Sequence, residues 1–72
     1  MSPKSIPMSR KTPLTIADLQ DRDSRAYRAF LNFTEAQTMF WELSVDAAGV
    51  LWAEDYEMDT LVQWVPSIGQ WQ

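Results

Sequence analysis

The sequence predicts a small α+β domain preceded by a flexible N-terminal arm. Two periodicities indicate this fold class: one segment has the apolar spacing of a helix face, and a later segment alternates apolar and polar residues. A chain of 72 residues forms one domain at most. We therefore expect two N-terminal helices, a β-hairpin and a short C-terminal helix, with the arm at residues 1–13 and the domain at residues 14–72.

The arm is predicted from its composition. Residues 1–13 hold three of the four prolines and three bases but no acid. Such a segment resists helix formation and has little apolar surface to bury. Its bases could contact phosphates or an acidic protein surface, or could serve only to keep the tail soluble: Lys4, Arg10 and Lys11.

Two helices are expected after the arm. Thr15 can cap a first helix over residues 16–19, with Asp18 near the helix N-terminus. A second helix is predicted over residues 22–33, where one face carries Tyr27, Phe30, Leu31 and Thr34. Two acid–base pairs have the favoured i, i+4 spacing: Asp18 with Arg22 and Asp21 with Arg25.

Residues 39–56 favour a β-hairpin. Residues 39–45 alternate apolar and polar side chains, which indicates a strand with one polar face. Asp46 and Gly49 occupy the first and fourth places of a type I turn, and residues 50–56 would form the returning strand.

The competing prediction is a helix over residues 34–48, with a Thr34/Gln37 capping box and Gly49 as its stop. The hairpin is preferred because a helix would place Trp41 and Val45 off its apolar face. Further along, Asp59 can cap a last helix over residues 60–65, which Pro66 would end.

Charge divides the chain after Arg28. Residues 1–28 hold six bases and three acids, a charge of +3, whereas residues 29–72 hold seven acids and no base, a charge of −7. All four tryptophans lie in the acidic part. This polarity is typical of a protein that docks on others through charged surfaces.

The most acidic run is Glu54, Asp55, Glu57 and Asp59, beside Trp52 and Tyr56. Aromatic residues could anchor a contact there while the carboxylates attract a basic partner. The same run could instead be a solvated edge of the hairpin, or an oxygen-rich site for Ca²⁺ or Mg²⁺, although the EF-hand spacing is missing. The tryptophans could simply be core residues.

The chain has no His and no Cys. The common nucleophile–base pairs and the usual zinc or copper ligand sets cannot be built without them, so we expect neither an enzyme nor a metal or other cofactor. The lack of disulfides is compatible with a reducing cytoplasm. Because the longest uncharged apolar stretch is far shorter than a membrane-spanning helix, we expect no membrane contact and a cytoplasmic location.

The order of features over residues 39–66 resembles that of small phage-encoded inhibitors of bacterial RNA polymerase. Those features are a Phe-Trp pair that opens a hairpin, an acidic second strand and a helix capped by Asp59. The resemblance implies a regulator in the host cytoplasm that binds polymerase subunits and blocks initiation or alters termination. It also implies that Phe40, Trp41 and the run from Glu54 to Glu57 contact the polymerase.

The first functional hypothesis is therefore a small protein-binding transcription regulator. Its predicted contact residues are Lys4, Arg10, Lys11, Phe40, Trp41, Trp52, Glu54, Asp55, Tyr56 and Glu57. One alternative is an acidic mimic of nucleic acid that blocks a defence enzyme, as an anti-CRISPR or anti-restriction protein would. A second is a regulator that binds DNA directly through its bases, including Arg22, Arg25 and Arg28.

Overall fold

The structure, a computed structural model, describes residues 11–34 and 40–72. Within these residues the protein has two helices and a five-stranded antiparallel sheet, which confirms the α+β class. The strands lie in the sheet in chain order. The elements are β1 (Thr12–Leu14), α1 (Ile16–Arg22), α2 (Ser24–Thr34), β2 (Trp41–Val45), β3 (Leu51–Asp55), β4 (Thr60–Val65) and β5 (Gln70–Trp71).

Strand β1 forms one edge of the sheet, where Pro13 lies opposite Ser44 of β2. Thr12 and Pro13, which the sequence analysis assigned to the arm, therefore belong to the sheet. Proline has no N–H to donate, and an edge strand is where a sheet tolerates that loss. The predicted contact residues Lys4 and Arg10 lie outside the described residues.

Helix α1 begins at the predicted cap. The Thr15 hydroxyl accepts a hydrogen bond from the Asp18 N–H, and the Asp18 carboxylate accepts one from the Thr15 N–H, both at 3.0 Å. These bonds, together with the nearby charge of Arg22, lower the pKa of Asp18. The helix continues to Arg22, three residues beyond the predicted end.

The second helix begins at Ser24 rather than at residue 22, because Asp23 has an extended backbone conformation that separates the two helices. The Asp23 carboxylate accepts hydrogen bonds from the N–H groups of Arg25 and Ala26, both at 3.1 Å. It thereby satisfies the first donors of α2.

The predicted hairpin is confirmed, and the alternative helix over residues 34–48 is wrong because residues 41–45 form a strand. The turn also follows the prediction. The Asp46 carbonyl accepts from the Gly49 N–H at 3.0 Å, and the Asp46 carboxylate accepts from Ala48 and Val50. Gly49 has φ of 86°, a conformation that glycine adopts without steric cost.

The predicted C-terminal helix is wrong, because residues 60–65 form strand β4. Val62 and Trp64 are buried while Leu61 and Gln63 face the other side, which is the period of a strand. Pairing with β3 satisfies the backbone along β4, whereas an isolated six-residue helix would be marginal. Asp59 lies in the β3–β4 turn with φ of 52° and caps no helix.

The hydrophobic core lies between the two helices and one face of the sheet. Phe30 of α2 is completely buried and makes edge-to-face contacts with Trp41 and Trp71, at centroid distances of 5.8 and 5.3 Å. Trp71 folds back on the domain and donates its indole N–H to the Ala26 carbonyl at 3.0 Å. None of the described helices has the length and apolar character needed to cross a membrane.

Candidate functional site: the open face of the sheet

The sheet has two very different faces. One face packs under α1 and α2 through Leu43, Val45, Leu51, Ala53, Val62 and Trp64. The opposite face, which we call the open face, is formed by the alternate residues of the same strands, and both described helices lie on the other side. Its residues are Pro13, Glu42, Ser44, Trp52, Glu54, Leu61 and Gln63, and the alternation continues to Phe40 and Tyr56 beyond the strand ends.

The strand register arranges the open face in rows. Glu42 lies directly opposite Glu54, and Glu54 lies directly opposite Leu61. In the neighbouring row Pro13, Ser44, Trp52 and Gln63 stand side by side. Two carboxylates thus face each other at the centre of the sheet, with apolar side chains around them.

Tyr56 lies next to this carboxylate pair and is 62% exposed. The pKa of its hydroxyl is raised, chiefly because the neutral phenol forms a hydrogen bond with Glu42. Partial burial and the negative charges of Glu42 and Glu54 act in the same direction. Tyr56 therefore remains a neutral hydrogen-bond donor beside the two glutamates at physiological pH.

Trp52 is held in place at the other end of β3. Its indole N–H donates to the Asp46 carboxylate at 2.9 Å, and the Lys11 ammonium lies 4.4 Å from the centroid of its ring. The bond from Trp52 is the main reason that the pKa of Asp46 is lowered, with further bonds from Val50 and Ala48 and the charge of Lys11 adding to it. Lys11 is thereby placed on the open face.

A shallow depression of about 340 Å³ crosses the open face at the carboxylate row. Its lining combines both glutamates with three apolar residues from different strands. This volume is at the lower end of the range for small-molecule sites, and it is large enough for a side chain of a partner. The lining residues are Lys11, Pro13, Glu42, Leu43, Ser44, Glu54 and Leu61.

The structure brings half of the predicted contact residues together. Lys11, Phe40, Trp52, Glu54 and Tyr56 all lie on or at the open face. Glu57 is exposed in the β3–β4 turn.

Two other predicted contact residues lie elsewhere. Trp41 points toward the core, 5.8 Å from the Phe30 ring and 5.5 Å from the Phe33 ring. Asp55 is only 8% exposed, and its carboxylate accepts from the N–H groups of Glu57 at 2.9 Å and Met58 at 3.3 Å. Asp55 therefore shapes the turn after β3.

Glu42, Leu61 and Pro13 belong to the site although the sequence analysis did not name them. Glu42 could have been found, because the alternation of residues 39–45 places it on the same face as Phe40 and Ser44. Leu61 was not predicted as a site residue because residues 60–65 were wrongly assigned to a helix. Pro13 was assigned to the arm.

The acidic run does not form a single surface. Glu54 lies on the open face, Asp55 is buried on the opposite side, and Glu57 and Asp59 lie in the turn. In residues 11–34 and 40–72 no group of three or more carboxylates is placed to hold a metal ion.

One of the two bases of α2, Arg25, makes contacts within the domain. The sequence paired Arg25 with Asp21, but the Arg25 guanidinium donates to the Pro66 carbonyl at 3.2 Å and lies 5.7 Å from the Trp64 ring centroid. Arg25 thus joins α2 to the β4–β5 turn. This position favours a structural role for Arg25 over DNA binding.

The chain matches no protein-family model, no curated protein and no solved structure. Small α+β domains serve many unrelated functions, so the function has to be argued from the residues of the open face.

Proposed function

We propose that this protein is a small regulator that binds a protein partner through the open face of its sheet. The observation that carries the proposal is a sheet face with exposed large apolar side chains around a charged centre. Tyr56 is 62% exposed, Phe40 43% and Leu61 42%, and all three surround the Glu42–Glu54 pair. An apolar patch with a charged component is typical of protein-binding surfaces.

Host RNA polymerase is the partner that we propose first, with inhibition or modulation of transcription as the outcome. The resemblance of residues 39–66 to phage-encoded polymerase inhibitors supports it only in part, because the helix that belonged to this resemblance is strand β4. The hairpin supports it further. Phe40 and Glu54, two of the contact residues that the resemblance implied, lie on the open face.

The test measures binding of purified bacterial RNA polymerase, as core enzyme and as holoenzyme, to the immobilised full chain. The open-face variant Tyr56→Ala/Leu61→Ala removes two exposed apolar side chains from the site. Its matched control, Met58→Ala/Ile68→Ala, removes two exposed apolar side chains from the turns. We expect the open-face variant to bind at least about tenfold more weakly and the control to bind like the wild type.

A transcription assay on a standard promoter with the same three proteins extends the test to function. We expect the wild type and the control to reduce or alter transcription, and the open-face variant to have lost most of that effect. Equal binding by all three proteins would contradict the role of the open face. If none of the three proteins binds polymerase, this choice of partner is wrong.

A further inference from the structure

We propose that the open face recognises a basic segment of its partner and that an arginine side chain of that segment inserts between Glu42 and Glu54. This inference rests on the proposed function and specifies the chemistry of the partner. It follows from three features of the face: the opposed carboxylates, the apolar side chains that line the same depression, and the tryptophan whose ring lies under the Lys11 ammonium.

The first feature is the direct opposition of Glu42 and Glu54, two like charges, on neighbouring strands. Directly opposed side chains on an antiparallel pair have their Cβ atoms about 5 Å apart, and like charges at that position repel each other. A cation placed between the two carboxylates would convert this repulsion into attraction. The chain has no base after Arg28, so β2, β3 and β4 provide no such cation themselves.

Among the described residues, Lys11 provides a base at this face, but its ammonium lies over the Trp52 ring. The position of Lys11 shows that the face already accommodates one cation next to an aromatic ring. The centre of the carboxylate row, between Glu42 and Glu54, is a second position. It is lined by carboxylates rather than by an aromatic ring, which is the environment that a guanidinium group prefers.

Arginine fits this row better than lysine does. Its planar guanidinium carries five N–H donors in a fixed arrangement and can bond two carboxylates at once, whereas the lysine ammonium is a compact charge with strong hydration. Leu61 of β4 lies in the same row, Pro13 of β1 lies in the neighbouring row, and both line the depression. They offer apolar surface to the methylene groups of a long cationic side chain.

A second copy of this chain is a poor occupant of the same surface. Two open faces packed together would bring two Glu42–Glu54 pairs into one interface, and uncompensated like charges oppose such an association. An acidic partner or a nucleic acid would meet the same repulsion. Charge complementarity therefore selects a basic protein segment.

The experiment uses short peptides in which a single arginine is flanked by valines. Matched peptides replace that arginine by lysine or by citrulline, which has the shape of arginine without its charge. Binding of each peptide to the full chain is measured by isothermal titration calorimetry at low and at physiological salt. We expect the arginine peptide to bind about tenfold more tightly than the citrulline peptide, with the lysine peptide between them.

Two double variants locate the effect. Glu42→Gln/Glu54→Gln removes the opposed charges, and Glu57→Gln/Asp59→Asn removes the same number of charges from the β3–β4 turn. Asparagine is a suitable replacement for Asp59 because it tolerates a positive φ. We expect only the first double variant to lose the preference for arginine over citrulline.

Equal binding of the arginine and citrulline peptides would overturn the inference while leaving the open face as a docking surface. Equal losses in the two double variants would also overturn it, because they would show a long-range effect of net charge. If polymerase fails to bind but the arginine peptide shows its preference, the inference stands and only the identity of the partner is wrong.

Discussion

The two faces of the sheet are made by alternate residues of the same strands, yet they differ in burial and in composition. On β3, Leu51 and Ala53 are buried beneath the helices, while Trp52 and Glu54 face away from them. On β4, Trp64 is buried and Leu61 is 42% exposed. The core face is a continuous apolar layer, and the open face mixes large apolar side chains with opposed carboxylates.

The comparison shows that the same residue type has different roles on the two faces. Trp64 and Trp71 pack against each other at a centroid distance of 5.7 Å in the core. Trp52 instead donates a hydrogen bond to Asp46, and the Lys11 ammonium lies over its ring. Apolar residues on the core face are buried and contribute to folding, whereas Phe40, Tyr56 and Leu61 on the open face remain exposed.

The largest expected effect is the loss of stability on truncating a core-face contact. Phe30→Ala should lower the free energy of unfolding by about 3–5 kcal/mol, because Phe30 is fully buried between Trp41 and Trp71. Phe40→Ala removes the same ring from an exposed position and should cost less than about 1 kcal/mol. Urea denaturation followed by circular dichroism measures both. Similar losses in the two variants would contradict the distinction between the faces.

An intermediate effect is expected at Asp55, which the sequence assigned to the contact surface. Asp55→Ala should lower the free energy of unfolding by about 1–3 kcal/mol, because two N–H groups in the β3–β4 turn lose their acceptor. Glu57→Ala, a change in the same turn at an exposed side chain, serves as the control and should be nearly neutral. If Asp55→Ala proves neutral in thermal unfolding, the structural role of this carboxylate is wrong.

A smaller, pH-dependent effect is expected at Asp46. Its pKa is lower in the folded protein than in the unfolded chain, so its contribution to stability is present at neutral pH. That contribution is lost as the pH falls below about 4, through the pKa of the folded state. The difference in stability between the wild type and Asp46→Asn should therefore be largest near pH 6 and shrink in acid. A difference that does not change with pH would contradict this assignment.

The smallest expected effect has the opposite sign. Glu54→Gln removes one of two opposed charges and should raise Tm by about 1–3 °C at low salt, with less effect at high salt. Differential scanning calorimetry at two salt concentrations measures it, with Glu57→Gln as the control. A lower Tm in Glu54→Gln would show that the free protein uses this carboxylate for stability rather than keeping it for a partner.

Local signals predicted the fold where they were unambiguous. The Thr15 cap and the Asp46–Gly49 turn are determined by hydrogen bonds between near neighbours, and both were predicted from residue type alone. The strand over residues 60–65 was not predicted, because an Asp before the segment and a Pro after it are compatible with either a helix or a strand. Pairing with β3, a contact between distant parts of the chain, decides the outcome.

The candidate site was predicted in part for the same reason. Trp52, Glu54 and Tyr56 were all predicted contact residues, and they share one face because the period of a strand puts alternate residues on the same side. Asp55 was predicted to be a contact residue from its charge, but it lies one residue out of phase with Glu54 and is buried. The opposition of Glu42 and Glu54 depends on the hairpin register, which composition and charge do not reveal.

The most direct test of the account is to follow the four tryptophan indole N–H signals of the ¹⁵N-labelled full chain by NMR during titration with the arginine peptide. The four indoles report on the two faces of the sheet: Trp52 lies on the open face, and Trp41, Trp64 and Trp71 lie on the core side. The account predicts a saturable shift of the Trp52 signal while the signals of Trp64 and Trp71 stay in place. Shifts of Trp64 and Trp71 with no change at Trp52 would contradict the claim that the open face is the binding surface.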